Sequence, residues 1–270
     1  MTTDVGQFDR ILLVGDTHGN PRWTPFVIDQ AQKLGADLIV QLGDFGYWPR
    51  DRRGSRFLDT VEQALRDSGL PMWFIDGNHE DHTMLRSGDT PPGLVPVSDH
   101  LTYVARGTRW TWGDTEWLAV GGASSVDRHL RTTGFDWFED EFMTPEQLAA
   151  VEKAGHADVV VAHDAPAGVE FIPAWHAKTE LPAGQGWPAD ALADSAAHSQ
   201  RMRHLLDVVQ PRAWFHGHHH VGYHEILTTD FGLTDVYGLD MDSAQLSKST
   251  LLVDGAGVPI SVDEVAPSAG

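Results

Sequence analysis

Ile11-Leu12-Leu13-Val14-Gly15-Asp16-Thr17-His18-Gly19 is an apolar run that stops abruptly at a glycine, a carboxylate and an imidazole. Such a run, bounded by polar residues, reads as a buried strand. The same event recurs four times. Leu38-Ile39-Val40-Gln41-Leu42 meets Gly43-Asp44, and Trp73-Phe74-Ile75 meets Asp76-Gly77-Asn78-His79-Glu80. Val159-Val160-Val161-Ala162 meets His163, and Trp214-Phe215 meets His216-Gly217-His218-His219-His220. In open α/β sheets the carboxyl ends of the strands line the binding crevice, so five such ends can converge on one spot.

Working outward, further short apolar runs occur at residues 101–104, 117–120 and 251–253. Helical patterns lie between several runs. Val27, Ala31 and Leu34 share one face, as do Phe57, Val61, Ala64 and Leu65, with Gly69 and Pro71 ending the second pattern. Thr144-Pro145-Glu146-Gln147 reads as a capping box with proline at the first helical position, and residues 191–209 read as a longer helix. The first third is therefore βαβαβ, which favours a parallel sheet covered by helices. Between Leu101 and Val120 no helix intervenes, which predicts a second, more antiparallel sheet. Residues 87–99 and 172–190 read as long loops, and loops of that length commonly serve a site. The second of them, with Trp175 and Trp187, is a candidate lid. No linker interrupts residues 1–270, so a single domain is expected, with a frayed tail at 266–270.

Composition narrows the chemistry. The 270 residues include no Cys, 15 His, 19 Lys and Arg, and 39 Asp and Glu, for a net charge of −20. Disulfides, thiolate metal sites and thiol catalysis are excluded. No apolar stretch approaches the roughly 18 residues of a membrane span, and the N-terminal residues lack a signal-peptide pattern. A soluble, cytoplasmic protein is expected. The acidic balance argues against tight wrapping of nucleic acid, where Lys and Arg contacts to phosphates supply most of the affinity. A small phosphoester held by metal ions is compatible with it.

The polar strand ends carry ligands suited to metals. Carboxylate, carboxamide oxygen and imidazole fit Mn, Fe, Zn, Ni or Co. Asp16 and His18 lie two residues apart, as do His218 and His220, so each pair at a strand end can reach one ion. Singly, each motif has a plain structural reading: a GD pair is a common turn, and a lone His after a strand is usually a hydrogen-bonded polar residue. Jointly they are far more specific.

DxH (Asp16, His18), GD (Asp44), GNHE (Gly77 to Glu80), a later His163 and GHxH (Gly217, His218, His220) together resemble the calcineurin-like metallophosphoesterase superfamily. All five blocks occur in order. Gly121-Gly122-Ala123-Ser124-Ser125-Val126-Asp127-Arg128, followed by Arg131, Gly134, Trp137 and Glu141, is similar to bacterial and phage members. The resemblance implies an α/β fold of four layers, an αββα sandwich of two mixed β-sheets flanked by helices, with a dinuclear metal centre. It implies that one ion takes Asp16, His18, Asp44 and His220, and the other Asp44, Asn78, His163 and His218. Asp44 would bridge, a metal-bridging hydroxide would attack phosphorus, and His79 would be the general acid. Mn is a common activator of such proteins; Fe, Zn, Ni and Mg suit the same ligands.

Other residues near the motifs have weaker claims. Asp164 reads as a turn former at Asp164-Ala165-Pro166, and Glu80 as a supporting or surface carboxylate. His216 and His219 read as supporting or surface residues; His82 and His224 read as non-ligands. Arg22, Arg128 and Arg131 are candidate phosphate contacts, and Tyr47 and Trp48 candidate nucleoside contacts. In phosphoprotein phosphatases the second block reads GDxVDRG, whose later Asp orients the catalytic His and whose Arg binds phosphate. Here Tyr47 and Trp48 stand at those places; Arg50, Arg52 and Arg53 follow as alternatives.

The expected activity is therefore phosphodiesterase action on small or cyclic nucleotide diesters. Ser/Thr phosphoprotein or nucleotide phosphomonoesterase activity is the alternative, and a polynucleotide nuclease is disfavoured by the charge. A non-catalytic scaffold would be free to lose His79 or a ligand, and none is missing here.

Overall fold

The structure is a computed structural model that describes residues 5–172 and 186–261. Twelve strands form two six-stranded sheets. β1 (Arg10–Val14), β2 (Leu38–Gln41) and β3 (Met72–Phe74) run parallel at the heart of the first sheet. β5 (Leu101–Val104) continues it in parallel beside β3. The edges are antiparallel: β12 (Thr250–Asp254) pairs with β1, and β4 (Leu94–Pro96) pairs with β5. The order is β12-β1-β2-β3-β5-β4.

The second sheet repeats that plan. β7 (Thr115–Val120), β8 (Val159–Ala162) and β9 (Ala213–His216) are parallel, and β11 (Gly232–Gly238) is parallel to β9. β6 (Arg109–Trp112) and β10 (Tyr223–Thr229) close the edges in antiparallel register. The expectation of a second, more antiparallel sheet beginning at Leu101 is thus corrected in part: a second sheet exists and β6–β7 is antiparallel. Leu101–Val104 belongs to the first sheet, and the second is parallel at its centre. The β10–β11 hairpin carries His224, Ile226 and Thr228 on its exposed side, so it has no continuous apolar run to announce it.

Alternation along β1 explains the layering. Leu12 and Val14 face the outer core with α1 (Trp23–Lys33) and α2 (Arg52–Ser68), whereas Ile11 and Leu13 face the space between the sheets. Asp51 caps α2 by accepting from Arg53 N and Gly54 N at 2.7 and 3.0 Å, and Gly69 ends the helix at φ 72°. Between α2 and β4 lies the short helix α3 (His82–Leu85). On the far face, α4 (Pro145–Ala154) and α5 (Ala189–Val209) cover the second sheet. Thr144 and Gln147 form the reciprocal capping box at the start of α4. The result is helices, sheet, sheet, helices.

Trp73, Trp110, Trp112 and Trp117 fill the space between the sheets with ring centroids 5.0 to 6.0 Å apart. Truncating one such ring costs about 3–5 kcal/mol. A buried ion pair also ties the two halves together. Asp76 accepts from Tyr103 Oη and Arg106 Nε at 2.8 Å each, while Arg106 donates to the carbonyls of Asp140 and Phe142. No helix among the described residues is long and apolar enough to cross a membrane. Trp175, most of the proposed lid and the tail at 266–270 lie outside the described residues.

Candidate metal centre

Strand order explains why residues so far apart in sequence meet. β1, β2 and β3 are adjacent and parallel, so the turns after them emerge side by side. β8 and β9 do the same in the facing sheet. Thr17 N and His18 N both donate to the Asp44 carbonyl, and Gly217 N donates to the His163 carbonyl. His18, Asp44, His218 and His220 all have positive φ, between 46° and 64°. Non-glycine residues adopt that region at a cost, and such strain clusters at functional sites. Two glycines are required by crowding rather than by turns. A Cβ on Gly77 would lie 2.2 Å from Asp44 Oδ1, and one on Gly217 would lie 2.1 Å from Asp16 Oδ1.

Asp16, His18, Asp44 and His220 offer ligand atoms within 4.8 Å of one another. Asp16 Oδ2 lies 3.0 Å from His220 Nε2, yet it is buried and satisfies no hydrogen bond. An orphaned, buried carboxylate oxygen facing imidazole nitrogens and a second carboxylate fits a divalent cation. Asp44, Asn78 and His163 form a second group. His163 Nε2 stands 3.3 Å from Asp44 Oδ1 and 3.1 Å from Asn78 Oδ1. The His218 ring centroid is 5.0 Å from that of His163, but its ligand atom is gathered with those of Asp164 and His219 instead. Asp44 lies between the groups: Oδ2 is 3.7 Å from His18 Nε2 and Oδ1 accepts from His79 N at 2.7 Å.

The carboxylates and imidazoles of the two groups shift one another's proton affinity strongly. Burial pushes His163 down, but Asp44 and Asp16 override it and raise it to about 10. His18 is raised to about 10 in the same way, against burial, chiefly by Asp44. Burial lifts Asp44, yet His163 and His79 hold it well below the usual carboxylate range. Burial and the neighbouring Asp44 carboxylate push Glu80 up to about 8. Glu80 accepts from Gly46 N and Gly77 N at 3.1 and 2.8 Å, so it braces two of the turns that present the ligands.

Supporting contacts fix the ligands. His163 Nδ1 bonds the Leu42 carbonyl at 2.7 Å, leaving Nε2 for the site. His18 Nδ1 meets Asp242 Oδ1 at 3.0 Å, and Asn20 holds the other oxygen of Asp242. Asn78 Nδ2 donates to Ser125 Oγ at 3.0 Å, and Ser125 Oγ donates to Glu141 at 2.5 Å. That chain turns the Asn78 carbonyl oxygen toward His163. Asp164 is no simple turn former: its carboxylate meets His198 Nδ1 at 2.6 Å and His219 Nε2 at 2.9 Å. Asp242 was invisible in sequence because no apolar strand leads into it.

His79 sits at the rim. Its nearest acidic neighbour beyond Asp44 is Asp127, 3.8 Å from Nε2. Arg131 Nη2 is set against the His79 ring, at both Nδ1 and Nε2, and Asp127 closes on Arg131 at 2.8 Å. Burial and Arg131 lower the His79 pKa, opposed by Asp44 and Asp127. Arg128, by contrast, pairs with Asp190 and Asp194 of α5. The Tyr47 ring stacks on Phe74, 5.8 Å away, against the outer core. Trp48 donates to the His79 carbonyl at 2.9 Å and lines a cleft of about 910 Å³ that begins at His18. His82 and His216 are buried and turned elsewhere, to Ser87 and Tyr223. His224 pairs with Asp235 at the surface, and Arg22 is exposed on the turn before α1.

Residues 9–222 match the Calcineurin-like phosphoesterase (Metallophos) family. No curated protein matches the chain. Among solved structures, TT1561 of Thermus thermophilus is similar at 16% identity and a TM-score of 0.54, over 95% of this chain and 100% of that one. A dimetal phosphatase from Danio rerio is similar at 14% identity and a TM-score of 0.57, over 95% and 99%. These likenesses show the shared two-sheet fold. With most of its length matched to the family and its His and Asp residues clustered at the strand ends, this chain belongs to the calcineurin-like phosphoesterases and is a metal-dependent phosphoesterase.

Proposed function

We propose that the protein is a dinuclear-metal phosphodiesterase acting on small or cyclic nucleotide diesters, with Mn²⁺ as an activating metal. Asp16, His18, Asp44 and His220 would hold one cation; Asp44, Asn78, His163 and His218 would hold the other. Bound there, divalent cations supply Lewis-acid polarisation of the phosphoryl group and a water acidic enough to ionise near neutral pH. His79 would pass a proton to the leaving oxygen from the rim; burial and Arg131 hold its pKa below the ordinary imidazole value against Asp44 and Asp127, so the proton is easily given up.

The observation that carries the diester reading is the closure of Arg131 on Asp127 beside His79. A free guanidinium there would reward the second negative charge of a monoester. Neutralised by Asp127, it gives the dianion little advantage over a diester monoanion. Trp48, in the lining of the cleft, supports a substrate with a flat ring.

The test is a side-by-side assay with added Mn²⁺. It compares bis-p-nitrophenyl phosphate, p-nitrophenyl phosphate, 2′,3′- and 3′,5′-cyclic nucleotides and a phosphopeptide. The expected result is a higher kcat/KM for diesters. A preference for the monoester or the phosphopeptide overturns it. Two bound metals with no turnover of any ester would mark a scaffold.

A further inference from the structure

The cleft that starts at His18 runs away from the metal centre along α2. Its wall includes Trp48, Arg53, Arg56 and Phe135. Arg53, Arg56 and Thr60 follow one another at the three- and four-residue spacing that places side chains on one helical face. Phe135, 73% exposed, lines the same cleft.

Charge pairing singles out two of the guanidiniums. Arg50 also lines the cleft, but Asp81 holds it at 2.6 and 2.8 Å. Asp51 is occupied in capping α2, and Asp136 accepts from Thr132 N. Among the described residues the Arg53 and Arg56 guanidiniums make no side-chain hydrogen bond and no ion pair within 4 Å, although the Arg53 charge acts on the neighbouring Asp51 carboxylate. Asp51, Asp81 and Asp136 line the same cleft, but no carboxylate grips the Arg53 or Arg56 fork within ion-pair distance among the described residues, which leaves these two guanidiniums as donors for an anion on a chain of net charge −20. Arginine suits phosphate because its planar fork offers paired donors.

We infer that this cleft binds the non-reacting half of the substrate, and that this half is a nucleoside carrying a second, unreactive phosphate. The reacting ester sits at the metal centre, the flat ring lies between Trp48 and Phe135, and the second phosphate meets Arg53 and Arg56. This inference rests on the phosphodiesterase reading above but narrows it. Cyclic nucleotides, which lack a second phosphate, become poorer substrates than nucleotide esters phosphorylated at the far end.

Two chromogenic esters isolate the point. The p-nitrophenyl ester of thymidine 5′-phosphate and its 3′-phosphorylated counterpart share the reacting group and differ only in the distal phosphate. The 3′-phosphorylated ester should show a KM at least about tenfold lower. R53A/R56A should bring the two KM values together, R53K/R56K should restore part of the gap, and R52A, on the same turn but outside the cleft wall, should keep it. Equal KM values in the wild type, or a gap that survives R53A/R56A, overturn the inference. A second readout separates this from failure of the diesterase reading. With whichever ester the enzyme does cleave, thymidine 3′,5′-bisphosphate should inhibit about tenfold more tightly than thymidine 5′-phosphate, and R53A/R56A should abolish the difference. If only monoesters are cleaved but that inhibition pattern holds, the cleft assignment stands and the diester reading falls.

Discussion

Arg131 reaches His79 from a segment far along the chain, its Nη2 set against the imidazole at both Nδ1 and Nε2, and the same guanidinium is held by Asp127 at 2.8 Å. A carboxylate and a basic group thus stand near the rim histidine, although the positions after Asp44 that would supply them in a phosphoprotein phosphatase hold Tyr47 and Trp48. The segment after Gly121 provides them instead.

Asp127 and Arg131 should move the His79 pKa in opposite directions. An imidazolium acting as general acid is lost as pH rises through its pKa. R131A removes a cation that disfavours the imidazolium, so the basic limb of the kcat profile should move to higher pH. D127A removes a supporting anion, so the limb should move to lower pH. H79A should lower kcat by about 10²- to 10⁴-fold with metal content unchanged. Profiles of kcat against pH for the three variants decide this, and shifts of the same sign in R131A and D127A would contradict it.

Asn78 can present its oxygen only if its amide nitrogen is held. Ser125 does so at 3.0 Å and is itself fixed by Glu141. S125A should weaken metal binding about 10- to 100-fold, the range typical for partners of metal ligands. Titration calorimetry with Mn²⁺ checks this, and wild-type affinity in S125A would remove the role.

Metal uptake should release protons. In the metal-free chain His18 and His163 are raised to about 10, so both are protonated at neutral pH and must lose the proton to ligate. Apparent affinity should therefore rise with pH from about 6.5 toward about 10. Calorimetry in buffers of different ionisation enthalpy measures the protons released; affinity independent of pH over that window would contradict the assignment of both histidines.

The Asp76–Arg106 pair is a stability element. Both side chains are fully buried. D76A strands a buried guanidinium and should cost about 3–5 kcal/mol, whereas D76A/R106M, with no charge left behind, should recover much of it. Urea unfolding of the two variants measures the difference; equal losses would show that Arg106 needs no partner.

The parallel centre of the first sheet was legible because β1, β2 and β3 are buried on both faces and read as unbroken apolar runs. The site was legible because each of those runs stops at a ligand-type residue. What escaped was carried by residues without such a signature. β4 is largely exposed, within a stretch rich in Gly and Pro, and the β10–β11 hairpin exposes alternate polar residues. Tyr47 follows Asp44 closely, yet the chain turns its ring inward onto Phe74, a direction that adjacency in sequence does not specify. Arg128 and Arg131 lie one turn apart and look equivalent, but one meets acids on α5 and the other His79. Asp164 and Asp242 act through histidines brought to them by tertiary structure alone.

Metal stoichiometry tests the central claim most directly. Asp44 faces His18 through one oxygen and His163 through the other, so both cations depend on it. After saturation with Mn²⁺ and desalting, elemental analysis should find about two ions per wild-type chain and at most one in D44N. Two retained ions in D44N, or full activity in a wild-type chain that holds none, would contradict the account.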